Sequence, residues 1–144
     1  MNKYSVVSSF FLMTLLAGCA SDGVMSEATA PSETFEVAAN HHAAQRRAAE
    51  YLRTCYVAKL HPYGVTYQVS SAQGEKGAPN DVRLTKESEP AKVLVCIATK
   101  ESGPATSAVT VTLLGSAGWD MAEIAAAKAS IQSATPVCRA NTPS

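Results

Sequence analysis

Few side chains in this sequence have the spacing that catalysis or metal binding requires. His41 and His42 are adjacent, and His61 stands alone further along the chain. Neighbouring residues of a helix point about 100° apart, so adjacent histidines are poorly placed to share one metal ion. No H-x-x-x-H or H-E-x-x-H spacing is present. The sequence therefore predicts no metal site and no cofactor, and the histidines are interpreted as surface groups.

Motifs for nucleophilic or phosphate chemistry are missing from the sequence as well. It contains no G-x-S-x-G, no Walker loop and no G-x-G-x-x-G. Asp120 and Glu123 could act as paired carboxylates, but a helix cap of the capping-box type accounts for both. We therefore predict that the protein is not an enzyme. A hydrolase is the least favoured alternative, kept because triad residues can lie far apart in sequence.

One basic cluster is a candidate partner surface. Arg46, Arg47 and Arg53 fall on the predicted outer side of a helix. They could bind an acidic partner, such as lipid phosphate or an anionic protein surface. A solvated helix face is the favoured alternative, because Glu50 stands three or four residues from each arginine and could pair with it.

The first 19 residues have the layout of an export signal. Lys3 supplies positive charge, residues 6–17 are mostly apolar, and small residues Ala17 and Gly18 precede Cys19. The apolar run is shorter than the about 20 residues that a membrane-spanning helix needs. We therefore predict that residues 1–18 are a cleaved signal peptide and not a permanent transmembrane helix.

The tetrapeptide Leu16-Ala17-Gly18-Cys19 resembles the lipobox of bacterial lipoproteins. The resemblance implies cleavage before Cys19, a thioether-linked diacylglycerol on its sulfur and an amide-linked third acyl chain, of the palmitate kind. Two or more acyl chains hold a protein stably on a bilayer. The next residue is Ala20 and not the Asp that retains such lipoproteins in the inner membrane, so the resemblance implies the outer membrane, with the domain facing the periplasm. An ordinary secretory signal with a chance cysteine is the alternative.

Composition divides the remaining chain into a tether and one domain. Residues 19–39 are rich in Ala, Ser, Thr and acidic residues and lack Lys and Arg, which predicts a flexible acidic tether. Residues 40–144 are predicted to form the domain, since a chain of 144 residues with 47% hydrophobic residues has room for a single core. The 12 Lys and Arg balance the 12 Asp and Glu, so we predict no nucleic-acid partner.

Hydrophobic periodicity predicts a helix, four strands and a second helix. The first helix covers residues 41–60, with Asn40 as its N-cap. The strands are residues 63–70, 81–87, 92–99 and 106–114. The third strand is apolar on both faces and is therefore expected at the centre of the sheet. The second helix covers residues 121–133, with Trp119 expected to pack it on the sheet.

Short connections between these strands favour an antiparallel meander, and both helices must bury their apolar faces on it. The predicted fold class is therefore α+β, a two-layer sandwich with a four-stranded antiparallel meander and the order α-β-β-β-β-α.

The cysteines point to a structural crosslink. If Cys19 carries lipid, then Cys55, Cys96 and Cys138 remain in a compartment where disulfides form, and one of them stays unpaired. In the predicted meander the pair Cys55–Cys96 is the easiest, Cys96–Cys138 is second, and Cys55–Cys138 requires the tail to fold back. A reactive thiol is disfavoured, because the sequence has no C-x-x-C.

These observations lead us to expect an outer-membrane lipoprotein that acts as a non-enzymatic interaction or scaffold module. Its partners would be the membrane, through the lipid on Cys19, and a protein of the cell envelope. The alternative is a ligand- or peptide-binding, inhibitor-like module that uses an exposed sheet face or strand edge.

Overall fold

A computed structural model describes residues 29–115 and 118–141. The strands are β1 (Ser32–Val37), β2 (Tyr67–Ala72), β3 (Asn80–Lys86), β4 (Glu89–Gly103) and β5 (Thr106–Leu113). The helices are α1 (His41–Leu52) and α2 (Met121–Ser133), with a π-helical turn at Arg53–Val57 and a 3-10 turn at Pro62–Gly64. None of the helices in these ranges is both long and apolar enough to span a bilayer.

The five strands form one antiparallel sheet in the order β1-β5-β4-β3-β2. Both helices pack on the sheet and against each other, and their apolar faces share one core with it. The α+β class is confirmed. Strand β4 lies at the centre, as the run of apolar residues on both of its faces predicts.

The prediction of four strands is wrong, because the segment predicted to be tether supplies a fifth. Residues Ser32–Val37 pair with β5, with Thr34 opposite Thr110. Phe35 and Val37 are buried, while Thr34 and Glu36 are exposed. This alternation is a strand pattern that the acidic composition hides. The domain therefore begins by Ser32 and not at residue 40; residues 19–28 of the predicted tether lie outside the described part.

Helix α1 begins as predicted but ends earlier. The Asn40 side chain accepts a hydrogen bond from the Ala43 amide at 2.9 Å, which confirms the N-cap. The α-helix stops at Leu52 and gives way to the π turn, in which Cys55 and Tyr56 are consecutive and both buried. The wider π turn changes which residues face the core, a change that a regular helical period does not predict.

The pairing Cys55–Cys96 is also wrong, because Cys55 forms its disulfide with Cys138. Ala134 ends α2 in the left-handed conformation (φ 57°), which reverses the chain. The tail then runs back along α2, where the Val137 amide donates to the Ser130 hydroxyl at 2.8 Å. The tail thus folds back, as the pairing of Cys55 with Cys138 requires, although this pairing was predicted to be the least favourable of the three.

Cys96 is buried on the opposite face of β4, next to Val93 and Leu114. Like Cys55 and Cys138, Cys96 is not a free thiol. The expectation of one unpaired thiol among the three cysteines is therefore wrong, because the described residues hold no free cysteine.

Candidate functional site

The predicted site residues do not converge on one place. Cys19 lies outside the described residues. Arg46 and Arg53 are exposed on α1 and the π turn, whereas Arg47 donates to the Ile131 carbonyl at 3.1 Å and helps hold α1 against α2. No salt bridge in the described ranges joins Glu50 to these arginines. The pairing that favoured a simple solvated face is therefore not formed.

A cleft of about 350 Å³ lies beside two of these arginines. Its walls come from α1 and the end of α2 and include Arg46, Arg47, Glu50 and Ser130. The guanidinium of Arg46 is free to meet an anion there, but Glu50 on the same wall opposes a strongly acidic ligand. The basic cluster is thus divided, with Arg53 outside the cleft.

A larger cleft, of about 590 Å³, opens at the end of the sheet where the β4–β5 hairpin turns. His41 and His42 form one wall, and Lys100 and Glu101 face them from the hairpin. The rings of the two histidines are 4.1 Å apart. This arrangement brings adjacent histidines together with residues from a distant hairpin, which the sequence pattern does not reveal.

Hydrogen bonds join Asn80 to both sides of this larger cleft. The Gly74 amide donates to Asn80 Oδ1 at 2.8 Å, so the Asn80 amide nitrogen faces His42 Nδ1 at 3.4 Å. An amide nitrogen can only donate, so His42 Nδ1 is the acceptor in this contact. His41 Nδ1 is buried and has no hydrogen-bond partner in the described structure. These groups suit a small polar ligand; the described residues contain no group of three His, Cys, Asp or Glu placed to hold a metal ion.

Glu123, predicted from the sequence to belong to a helix cap, is an ionisable group in the core of the domain. Only Asp120 caps α2, by accepting from the Ala122 amide at 3.0 Å. Glu123 turns inward and is fully buried. Tyr51 donates a hydrogen bond to Glu123 Oε1 at 2.5 Å, and Tyr56 donates to Glu123 Oε2.

Burial dominates the electrostatics of this cluster. It raises the pKa of Glu123, and the bonds from Tyr51 and Tyr56 together with Arg139 oppose that rise only in part. Arg139 lies 3.8 Å from Glu123 and 3.2 Å from Asp120. The pKa of each tyrosine is also raised, first by burial and then by the nearby carboxyl group. Both hydroxyls therefore stay protonated and remain donors.

Aromatic rings pack around Tyr56, one of the two donors to this carboxyl group. The Tyr56 ring stacks on Trp119 at 5.4 Å and meets Tyr67 edge-on at 5.5 Å. Trp119 thus packs the start of α2 onto the core, as the sequence predicts. Glu123 lines neither cleft. Its geometry serves to join α1, the π turn, α2 and the tail, and no substrate-sized opening reaches it in the described clefts.

No protein-family model matches this chain, and neither the curated proteins nor the solved structures show a significant match to it.

Proposed function

We propose that this protein is a bacterial lipoprotein of the outer membrane whose domain faces the periplasm and acts as a non-enzymatic interaction module. One observation carries the proposal: the lipobox sequence Leu16-Ala17-Gly18-Cys19 closes an apolar run at the start of the chain. The sulfur of Cys19 would carry the lipid, and the second and third acyl chains would make the attachment stable.

The position of β1 supports this layout. Ser32, its first residue, follows Cys19 by 13 residues, so the sheet can lie close to the bilayer on a short tether. An interaction role is favoured over catalysis by the position of Glu123. This buried carboxyl group, whose pKa burial raises, is used to join four segments of the fold and lies away from both clefts.

The anchor is tested by mass spectrometry of the mature protein and by fractionation of the cell envelope. We expect an N-terminal residue 19 that carries lipid, and we expect Cys19→Ser to leave the protein without lipid and outside the outer-membrane fraction. Ala20→Asp is the matched control, because it keeps the lipid but should move the protein to the inner membrane. A mature N-terminus other than acylated Cys19 would refute the anchor.

The cysteines give this test a second readout. A sulfur in a thioether cannot also form a disulfide, and Cys19 is the one cysteine of the sequence besides Cys55, Cys96 and Cys138. Peptide mapping without reduction shows whether Cys96 is bonded to Cys19. A peptide that joins Cys19 to Cys96 would contradict lipid attachment, whereas an acylated Cys19 peptide supports it.

A peptide-binding role is the second candidate, because β2 is an edge strand. The Glu87 amide donates a hydrogen bond to the Thr66 carbonyl. In an antiparallel ladder every second residue bonds to the neighbouring strand, and the residues between them direct their backbone groups to the other side. The backbone groups of Val69 and Ser71 therefore point away from β3, where an added strand could bind them. Affinity capture from envelope extracts with wild type and Ser71→Pro tests this role. A partner that Ser71→Pro still captures does not use this edge.

A further inference from the structure

Two large apolar side chains project fully into solvent from one loop, residues 57–64. Leu60 is 102% exposed and Tyr63 is 98% exposed, and Val57 at the start of the loop is 47% exposed. Clustered exposed apolar groups, unlike single ones, mark surfaces that contact a protein or a membrane. Here two of them stand three residues apart.

Contacts of His61 hold this loop against the domain, and a turn at residues 62–65 closes it. His61 Nε2 lies 2.7 Å from the Tyr56 carbonyl, and its ring meets the Tyr67 ring edge-on at 4.7 Å. The Val65 amide closes the following turn on the Pro62 carbonyl at 3.4 Å. The exposure of Leu60 and Tyr63 is thus a fixed feature of the fold.

The backbone of Tyr63 indicates a selected geometry. Its φ of 61° and ψ of 19° lie in the left-handed region, which aromatic residues rarely adopt. Gly64, which follows, is also left-handed, with φ of 67°. Residues in such uncommon conformations cluster at functional sites. Here the conformation accompanies an aromatic ring that is 98% exposed.

The sequence around the loop carries only positively charged side chains over a long stretch. Residues 51–74 contain no Asp or Glu, whereas Arg53 and Lys59 are exposed within them. The nearest acidic groups on the neighbouring β3–β4 turn are Glu87 and Glu89, and Glu89 lies 3.5 Å from Lys92. Leucine, tyrosine and basic residues together are the composition of segments that lie at the surface of anionic bilayers.

The topology places this loop at the end of the sheet where the chain from Cys19 arrives. Ser32 begins β1 and Tyr67 begins β2, and both strands run from the same end of the sheet toward the β4–β5 hairpin. Cross-strand pairs that start at Ser32 lead across the five strands to Ser70 of β2. Ser70 comes three residues after Tyr67, the first residue of that strand. The loop before β2 therefore projects past the level at which β1 begins.

The distances allow both attachments at once. Strands β1 and β2 are opposite edges of the sheet, about 19 Å apart at four strand spacings. The 13 residues from Cys19 to Ser32 can span at most about 45 Å. A tether of this length reaches the bilayer while the loop touches it.

We propose that residues 57–64 form a membrane-contact loop, in which Leu60 and Tyr63 enter the interfacial region of an anionic phospholipid bilayer and Lys59 and Arg53 lie at its headgroups. The proposal rests on the proposed function, in which lipid on Cys19 holds the domain close to the bilayer. The loop would fix the orientation of the domain, with the larger cleft beside His41 and His42 turned away from the membrane.

Fluorescence quenching in vesicles tests the loop. Full-length Leu60→Trp protein is bound to vesicles of phosphatidylethanolamine and phosphatidylglycerol that contain brominated acyl chains, and the spectrum of the parent protein is subtracted to remove Trp119. We expect blue-shifted and quenched emission. Ala105→Trp is the matched control, because Ala105 is exposed in the hairpin at the opposite end and should stay unquenched. Unquenched emission from Leu60→Trp on bound protein overturns the proposal.

The outcomes separate this proposal from the lipid anchor, because acylation of residue 19 is measured in the same sample. Acylated protein with an unquenched Leu60→Trp refutes the loop alone. If residue 19 is not acylated, the anchor fails, and flotation with the same vesicles tests the loop by itself. Leu60→Ser with Tyr63→Ser should then reduce binding about tenfold, with an unchanged thermal unfolding midpoint, because both side chains are exposed. Unchanged flotation would overturn the loop and point to a protein contact.

Discussion

Glu123 shows at the scale of one residue how a buried acid can organise a small domain. Its carboxyl group is fully buried and accepts hydrogen bonds from the hydroxyls of Tyr51 and Tyr56, and Arg139 of the tail lies beside it. A buried carboxyl group left without donors would be costly, so each of these partners is needed. Burial still disfavours the charged form, and the pKa of Glu123 is raised as a result.

The raised pKa of Glu123 predicts a pH dependence of stability with a definite sign. The folded protein holds the proton more tightly than the unfolded chain, so this contribution is complete below the ordinary pKa of a glutamate. It is lost as pH rises through the raised pKa. Glu123→Gln does not titrate and should lack this loss.

Urea unfolding of wild type and Glu123→Gln across the acidic range measures the effect, since the other carboxyl groups cancel in the difference. We expect the free energy of unfolding of wild type, relative to the variant, to fall with rising pH. A difference that rises with pH would mean that the tyrosines and Arg139 hold the carboxylate ionised.

At the scale of elements, the tail after α2 depends on its disulfide. Ala134 reverses the chain, Ser130 holds Val137, and the bond from Cys138 to Cys55 closes a loop with a sequence separation of 83. In the chain-entropy model a loop of this length contributes about 4.5 kcal/mol. The crosslink also places Arg139 beside Asp120.

We expect the double variant Cys55→Ala with Cys138→Ala to lose about 2–5 kcal/mol of unfolding free energy in urea without reductant. Trypsin should also cleave after Arg139 faster, because the tail is released. A matched variant at an exposed site, Ala105→Ser, should change neither quantity. Equal stability of the double variant and wild type would show that the tail is held without the crosslink.

At the scale of the whole molecule, the strand β1 decides where the domain begins. It covers one edge of β5 and buries Phe35 and Val37, and Lys128 of α2 pairs with Glu33 at 2.7 Å. Gln132 also donates to the Glu36 carbonyl at 3.2 Å, on the outer edge of the strand. The first strand is thus joined to both layers.

A chain that starts at residue 40 should therefore be less stable than one that starts at residue 29. The loss of two buried apolar side chains predicts about 3–6 kcal/mol, and the exposed edge of β5 should promote self-association. Thermal unfolding and size-exclusion chromatography measure both effects. A residue-40 chain that is monomeric and as stable as the longer one would place β1 outside the cooperative unit.

Features that neighbouring residues control could be predicted from the amino-acid sequence. The N-caps at Asn40 and Asp120 and the apolar run of β4 follow from local hydrogen bonding and periodicity, and the structure confirms them. The α+β class follows because helices with apolar faces must cover a sheet. The lipobox ending at Cys19 is likewise a local pattern, and it remains a prediction.

Features that depend on distant residues could not be predicted in this way, because they arise from contacts made in the folded chain. The partner of Cys55 was set by a reversal at Ala134, and the role of Glu123 by two tyrosines more than 60 residues away in sequence. Strand β1 joined the sheet because β5 offered an unpaired edge and a core for Phe35. These outcomes depend on long-range packing, and short-range propensity carries no information about which distant partner a residue will meet.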